Sequence, residues 1–91
     1  MPKIQKGYDF MELKDTIEMM QSDDYKERFK AEYYQLKIRT EKLKAMLEKW
    51  DKGELNFTPI CPRSIYDLQI RNMYDYLAVL EGRAVIEGIE L

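Results

Sequence analysis

The chain has no histidine, a single cysteine (Cys61), and no apolar run close to the length that crosses a membrane. Without histidine, zinc sites and acid–base catalysis at neutral pH lose their commonest side chain. A lone cysteine cannot form an internal disulfide, which is typical of proteins in a reducing compartment. A membrane-spanning helix needs about 20 apolar residues. Composition therefore predicts a soluble cytoplasmic protein with no metal site, no cofactor and no membrane contact.

The charges are nearly balanced. Fifteen Lys and Arg residues stand against 17 Asp and Glu, for a formal net charge of -2. A dedicated DNA-binding surface normally carries a strong basic excess, so we expect no DNA partner. The 91 residues, of which 45% are hydrophobic, suffice for one domain near the lower size limit for independent folding.

A seven-residue repeat runs through the first half of the chain. Its apolar positions recur seven apart, with further members four residues after the first three: Phe29, Leu36, Leu43, Trp50, then Tyr33, Thr40 and Leu47. This spacing places them on one side of a long helix. We predict that helix from about Asp24 to Asp51 or Lys52, with Ser22 or Asp23 near its cap and Gly53 as its left-handed stop.

A second amphipathic helix is predicted from Ile65 to about Glu87. The residues of this helix that we predict to face the first helix form a seam at spacings of three and four: Tyr66, Gln69, Met73, Tyr76, Leu80 and Arg83. Gly82 weakens this helix by about 1 kcal/mol relative to alanine, and it permits close approach of another backbone. The fold class is therefore all-α, a long antiparallel two-helix hairpin.

The segments outside the two long helices complete the plan. A short amphipathic helix is predicted from Phe10 to about Met20, capped by Asp9. In the link, Phe57, Pro59 and Ile60 are apolar enough to cover the end of the hairpin. We divide the chain into residues 1–22, an N-terminal tail with its short helix, and residues 23–91, the hairpin domain.

Polar residues within the predicted seam allow two interpretations. Glu32 and Arg39 are predicted on the inner face of the first helix, and Gln69 and Arg83 on that of the second. Buried polar groups need partners, so these residues either fix the pairing of the helices or line a polar pocket at a subunit interface. Arginine suits phosphate and tyrosine offers a stacking face. The candidate ligand-binding residues are Arg28, Tyr33, Arg39, Gln69, Tyr76 and Arg83.

No catalytic constellation is present, so we expect no enzyme. Cys61 has no histidine to activate it and is predicted to be a small buried hydrophobe. Two helices bury only one stripe each, which leaves many apolar side chains to cover. We therefore predict a homo-oligomer that associates through the residues flanking the seam: Tyr25, Tyr34, Ile38, Ile70, Tyr74, Val79 and Ile86.

The hairpin segments resemble a known family. Residues 25–33 (YKERFKAEY), 57–62 (FTPICP) and 86–89 (IEGI) are similar to small phage and prophage proteins named after a crAss-like phage gene. The resemblance covers about residues 23 to 91. In size and hairpin plan that family is similar to the phage sponges that counter CBASS and Thoeris defence. Those sponges are small helical oligomers that bind cyclic-nucleotide or cyclic-ADP-ribose-type signals between subunits, and their ligand motif is not recognisable in this chain.

The resemblance implies a function that composition alone does not. The leading hypothesis is a phage-encoded, non-enzymatic protein of the host cytoplasm that sequesters a cyclic nucleotide immune signal. The alternatives are an inhibitor or adaptor that binds a host defence protein through its helical surface, and a structural coiled-coil module.

Overall fold

A computed structural model describes residues 11–91 of the chain. Within that range a 3-10 turn (Leu13–Thr16) runs into a single turn of helix, α1 (Ile17–Met20). Two long helices follow, α2 (Tyr25–Asp51) and α3 (Arg63–Glu87). They are antiparallel, because contacts join the start of α2 to the end of α3 and the end of α2 to the start of α3. The all-α hairpin is thus confirmed, and these residues contain no strand.

The ends of α2 follow from local chemistry. Asp24 is the N-cap, and its carboxylate accepts a hydrogen bond from the Lys26 backbone amide at 3.0 Å. The cap therefore lies one residue beyond the predicted Asp23. At the other end Gly53 adopts the left-handed conformation with φ of 71°, as predicted. The Glu54 amide then donates back to the Lys49 carbonyl at 2.9 Å, which closes a Schellman turn.

Arg63 begins α3 two residues earlier than predicted and connects the two helices at their turn. A cation in the first turn of a helix opposes the helix dipole. Here the guanidinium donates to Asp51 at 2.6 Å and to Asp67 at 2.9 Å, and it lies 5.3 Å from the centre of the Trp50 ring. Because both carboxylates neutralise it, Arg63 joins the end of α2 to the start of α3.

The chain after α3 turns back and packs into the core. Gly88 has φ of 72°, and the Ile89 amide donates to the Ala84 carbonyl at 2.8 Å. This is a second Schellman turn, in which the residue after glycine packs against the last turn of the helix. Ile89 and Ala84 are both buried in the main apolar cluster. That cluster lies at the open end of the hairpin: Phe29, Tyr33, Leu77, Leu80, Ala84 and Ile89.

The seam of α2 is confirmed and that of α3 is corrected. Phe29, Tyr33 and Leu47 are buried, as their spacing predicts. On α3 the predicted Gln69, Tyr76 and Arg83 are exposed. The buried or half-buried stripe instead runs at spacings of four and three: Tyr66, Ile70, Met73, Leu77, Leu80 and Ala84. Every second predicted member is thus displaced by one residue, which is about 100° around a helix, so that only apolar side chains face α2.

The N-terminal segment packs on a different side of α2. Thr16 is fully buried, and its hydroxyl accepts a hydrogen bond from the Gln35 side chain at 3.0 Å. The predicted helix from Phe10 to Met20 is therefore shorter than expected, a 3-10 turn followed by one α-helical turn. Its predicted cap, Asp9, lies outside the described residues.

The link does not cover the end of the hairpin as predicted. Phe57 is half exposed and Ile60 is fully exposed, while Pro59 is half-buried. Cys61 is half-buried rather than fully buried. Among the described residues no helix combines the length and the apolar character that crossing a membrane requires.

Candidate functional site

The six candidate residues do not lie inside the hairpin as a group. Tyr33 is buried, whereas Arg28, Arg39, Gln69, Tyr76 and Arg83 are all exposed. The prediction that Glu32, Arg39, Gln69 and Arg83 point inward is therefore wrong for the single chain, because all four are exposed. The reason is the displaced seam of α3, which turns Gln69 and Arg83 from the interface to its border.

Tyr76 and Arg83 come together on one exposed border of the hairpin. We call this border the polar–aromatic edge and define it by Tyr25, Glu32, Tyr76, Arg83 and Glu87, with the buried Phe29 directly below it. Arg83 is its centre, since its guanidinium lies 4.9 Å from the centre of the Phe29 ring. The same group donates to the Tyr25 hydroxyl at 2.8 Å and to the Glu87 carboxylate at 3.1 Å.

The hydroxyl groups of this edge are held by carboxylates. Tyr25 donates to Glu87 at 2.7 Å, and Tyr76 donates to Glu32. The hydrogen bond to Glu87 raises the pKa of Tyr25, and the bond to Glu32 raises the pKa of Tyr76. In turn the hydrogen bond from Tyr25, and then that from Arg83, lowers the pKa of Glu87. Glu87 is thus the carboxylate that neutralises Arg83.

Arg39 and Gln69 extend the same edge toward the turn. Arg39 follows Glu32 by seven residues on α2, and Gln69 precedes Tyr76 by seven on α3. Seven residues are about two helical turns, so each pair shares one side of its helix. The edge therefore offers one end with tyrosine rings, an arginine and two carboxylates, around Tyr76 and Arg83, and a longer polar border beside it.

The other two candidates have structural partners. Tyr33 donates to Glu81 at 2.8 Å and is part of the main apolar cluster. The Arg28 guanidinium donates to the Ser22 carbonyl at 2.8 Å, where it holds the turn before α2. Neither residue belongs to the polar–aromatic edge.

A cleft that the sequence reasoning missed lies beside the hairpin turn. It has a volume of about 330 Å³, and α2 and the link line it with Lys42, Ala45, Met46, Lys49, Glu54, Leu55, Asn56 and Phe57. Two lysines against one glutamate make its charge positive. Its signal in the sequence is Phe57, one of the apolar link residues that we predict to cover the hairpin end.

Fold and edge together define a small all-helical protein whose candidate residues lie mostly on open surfaces. Residues 11–91 bring together no group of three or more Cys, Asp or Glu side chains suited to a metal ion. The groups on the edge are arranged as hydrogen-bonded pairs, with donors and rings at the surface. Such an arrangement is suited to contact with a ligand or a partner.

Comparison with known families then identifies the chain's relatives. Residues 23–86 match the family described as Sequestin, so the chain belongs to the Sequestin family. The match lies within the predicted residues 23 to 91 and confirms the resemblance to a small phage-type family. No curated protein and no solved structure matches the chain. The family name denotes sequestration, which means binding rather than chemistry.

Proposed function

We propose that the protein sequesters a cyclic nucleotide immune signal, binds it without chemistry, and does so at the polar–aromatic edge. In this proposal the protein is phage-encoded and acts in the host cytoplasm, where removal of the signal blocks an antiviral response. The observation that carries the proposal is the position of Arg83, a surface guanidinium between two tyrosines in a member of the Sequestin family.

The chemistry of the edge suits a phosphate group next to an aromatic base. Arginine presents a planar fork of donors that binds phosphate oxygens in pairs, and charge-assisted bonds of this kind are the strong ones. Exposed tyrosine rings offer faces on which a base stacks, worth about 1–3 kcal/mol per base. Tyr25 and Tyr76 are both nearly half exposed, so part of each ring is open to solvent.

Glu87 has a defined part in this proposal. Its carboxylate accepts a hydrogen bond from Nε of Arg83 in the free protein, so it competes with an incoming phosphate for the guanidinium. The exchange replaces one anion by another and leaves the charge of Arg83 neutralised throughout. Glu87 therefore weakens binding, and its removal strengthens it.

Calorimetry against a panel of cyclic dinucleotides and cyclic ADP-ribose isomers tests this function. We expect Arg83→Gln to weaken binding by about 10- to 100-fold, because a hydrogen bond to a charged group is worth about 1.5–3 kcal/mol. We expect Glu87→Gln to strengthen it. Lys49→Gln is the matched control, since it also removes one positive charge but does so in the cleft at the turn.

Three results distinguish the alternatives. Loss of binding in Lys49→Gln but not in Arg83→Gln moves the site to the cleft. Absence of both heat and a melting shift with every compound rejects the sequestration of a nucleotide, because binding to the folded form must raise Tm. Recovery of one stoichiometric host protein from a lysate would then favour the alternative, an inhibitor of a host defence protein.

A further inference from the structure

The side of α3 that faces away from α2 carries a second regular stripe. We call it the outer stripe; at alternating spacings of three and four it comprises Ile65, Leu68, Asn72, Asp75, Val79, Gly82 and Ile86. Its apolar members are open to solvent in the single chain. Val79 is 57% exposed and Ile86 is 85% exposed, and Ile65 and Leu68 are about half exposed.

The spacing of the outer stripe is that of a coiled-coil seam. An average of 3.5 residues per repeat keeps one face of a helix against a partner helix over its whole length. α3 has 25 residues and is therefore about 38 Å long at 1.5 Å per residue. Every second position of the stripe holds a β-branched residue, except for Asn72. A single buried asparagine in a coiled-coil seam commonly sets the alignment of the two helices.

We propose that the outer stripe binds a second copy of this chain, with the two α3 helices antiparallel about a two-fold axis between Met73 and Tyr74. In this alignment Leu68 of one copy packs on Val79 of the other. Asn72 meets Asp75, so a side-chain amide pairs with a carboxylate next to the axis. The two-fold symmetry repeats each of these contacts, as an isologous interface requires.

The larger side chains of the stripe also match the smaller ones in this alignment. Ile65 lies opposite Gly82, where the absence of a side chain leaves room for it. Ile86 reaches the segment just before α3, where Ile60 is fully exposed. Within the single chain a β-carbon added at Gly82 has no atom within 4 Å, so the space beside this glycine is open for another helix.

Other alignments of the same stripe are less favourable. Parallel helices place Asp75 against Asp75, where two carboxylates repel, and Gly82 against Gly82, where a void remains. An antiparallel pair shifted by one heptad places Asp75 on Val79 and leaves the carboxylate without a polar partner. The sequence of the stripe therefore complements itself in one alignment.

The second copy also completes the polar–aromatic edge. Gln69, Tyr76 and Arg83 lie on α3 between the inner seam and the outer stripe, because each follows a stripe position by one residue. A helix packed on the outer stripe therefore forms a wall beside Tyr76 and Arg83, and an open edge becomes a groove. This last step rests on the proposed function, whereas the dimer does not.

Sedimentation equilibrium over a range of micromolar concentrations tests the dimer. Ile86→Glu and Val79→Glu each place a charge in the stripe, and we expect each to weaken dimerisation at least tenfold. Val85→Glu is the matched control. Val85 is 84% exposed, nearly the same as Ile86, and neighbours it on the same helix, but it lies outside the stripe. We expect Val85→Glu to dimerise as the wild type does.

Gly82→Leu tests the alignment without disturbing the fold. A β-carbon at this position has no atom within 4 Å in the single chain, and leucine favours a helix far more than glycine does. We therefore expect a variant that melts no lower than the wild type in dilute solution but dimerises at least tenfold more weakly. A wild type that is monomeric throughout, or a Gly82→Leu protein that dimerises normally, would overturn the proposal. So would equal dimerisation of Ile86→Glu and Val85→Glu.

The two proposals fail separately. If the wild type dimerises but binds no nucleotide, the proposed function fails and the dimer stands. If monomeric Gly82→Leu binds the nucleotide as tightly as the wild type, the dimer stands and its contribution to the groove is refuted.

Discussion

Replacing each of two adjacent residues on α3 with alanine tests which side of that helix forms the core. Leu77 is 5% exposed and belongs to the main apolar cluster, whereas its neighbour Tyr76 is 44% exposed. We expect Leu77→Ala to lower the free energy of unfolding by about 3 kcal/mol, within the range of about 2–5 kcal/mol for buried leucines. The loss combines the transfer of the missing methyl groups with the cavity that they leave.

Tyr76→Ala should have a much smaller effect. The residue contributes one exposed hydrogen bond to Glu32, and surface substitutions of this kind change stability by about 0.5–1 kcal/mol. In a domain of this size 1 kcal/mol moves Tm by about 4–8 °C. The Tm values of the two variants should therefore differ by at least about 8 °C.

Urea titration followed by far-ultraviolet circular dichroism measures both variants. Protein concentration must be the same for each, because an oligomer gains apparent stability with concentration. The difference should appear in the midpoint with an unchanged slope against urea. If Tyr76→Ala destabilises as much as Leu77→Ala, the seam lies where the sequence pattern first suggested, and the packing described here is refuted.

Two further predictions concern the ends of α3 and the turn. The hydrogen bond from Arg63 lowers the pKa of Asp51 below its ordinary value of 3.8, so the ion pair stabilises the protein above that pH and is lost as the pH falls through the lowered value. Asp51→Asn should therefore flatten the acid limb of a plot of unfolding free energy against pH, and an unchanged limb would contradict this. Gly88→Ala should destabilise by about 1–2 kcal/mol because φ at that position is 72°, whereas Gly82→Ala in dilute solution should stabilise by up to about 1 kcal/mol. Thermal melts of the two variants that shift in the same direction would refute this account of the two glycines.

The helix α2 was predictable because it has one strong apolar pattern and clear signals at both ends. Its apolar side chains recur with a seven-residue period, Asp24 caps its start and Gly53 ends it. Each of these signals is local, and local chemistry acts in the same way in every fold. The prediction of helix type and of its boundaries therefore differed from the structure by no more than a residue or two.

The helix α3 was harder to interpret because it carries two stripes with the same spacing. The inner seam holds Leu77 and Ala84, and the outer stripe holds Val79 and Ile86. Either stripe satisfies the periodicity of an amphipathic helix, so the pattern does not state which one faces α2. The predicted seam lay between the two and consequently included Tyr76 and Arg83, which the packing leaves at the border.

The cross-helix partners of the charged groups also could not be predicted from the sequence. Arg63 is near Asp67 along the chain, but its bond to Asp51 exists only because the turn returns α3 beside α2. The same holds for Tyr25 and Glu87, which are separated by 62 positions. The charged residue at the start of α3 and the central arginine of the polar–aromatic edge therefore became interpretable only with the hairpin assembled.

The amino-acid sequence by itself determined that this protein is a helical hairpin and, to within a residue or two, where α2 begins and ends. These properties depend on spacing, capping and composition, which act over a few residues. Tertiary structure alone decided which stripe of α3 is buried, and hence that Arg83 lies at the surface against Glu87. That choice depends on how two surfaces fit across the hairpin, because contacts between residues far apart in the chain select one face from two that the local pattern treats as equal.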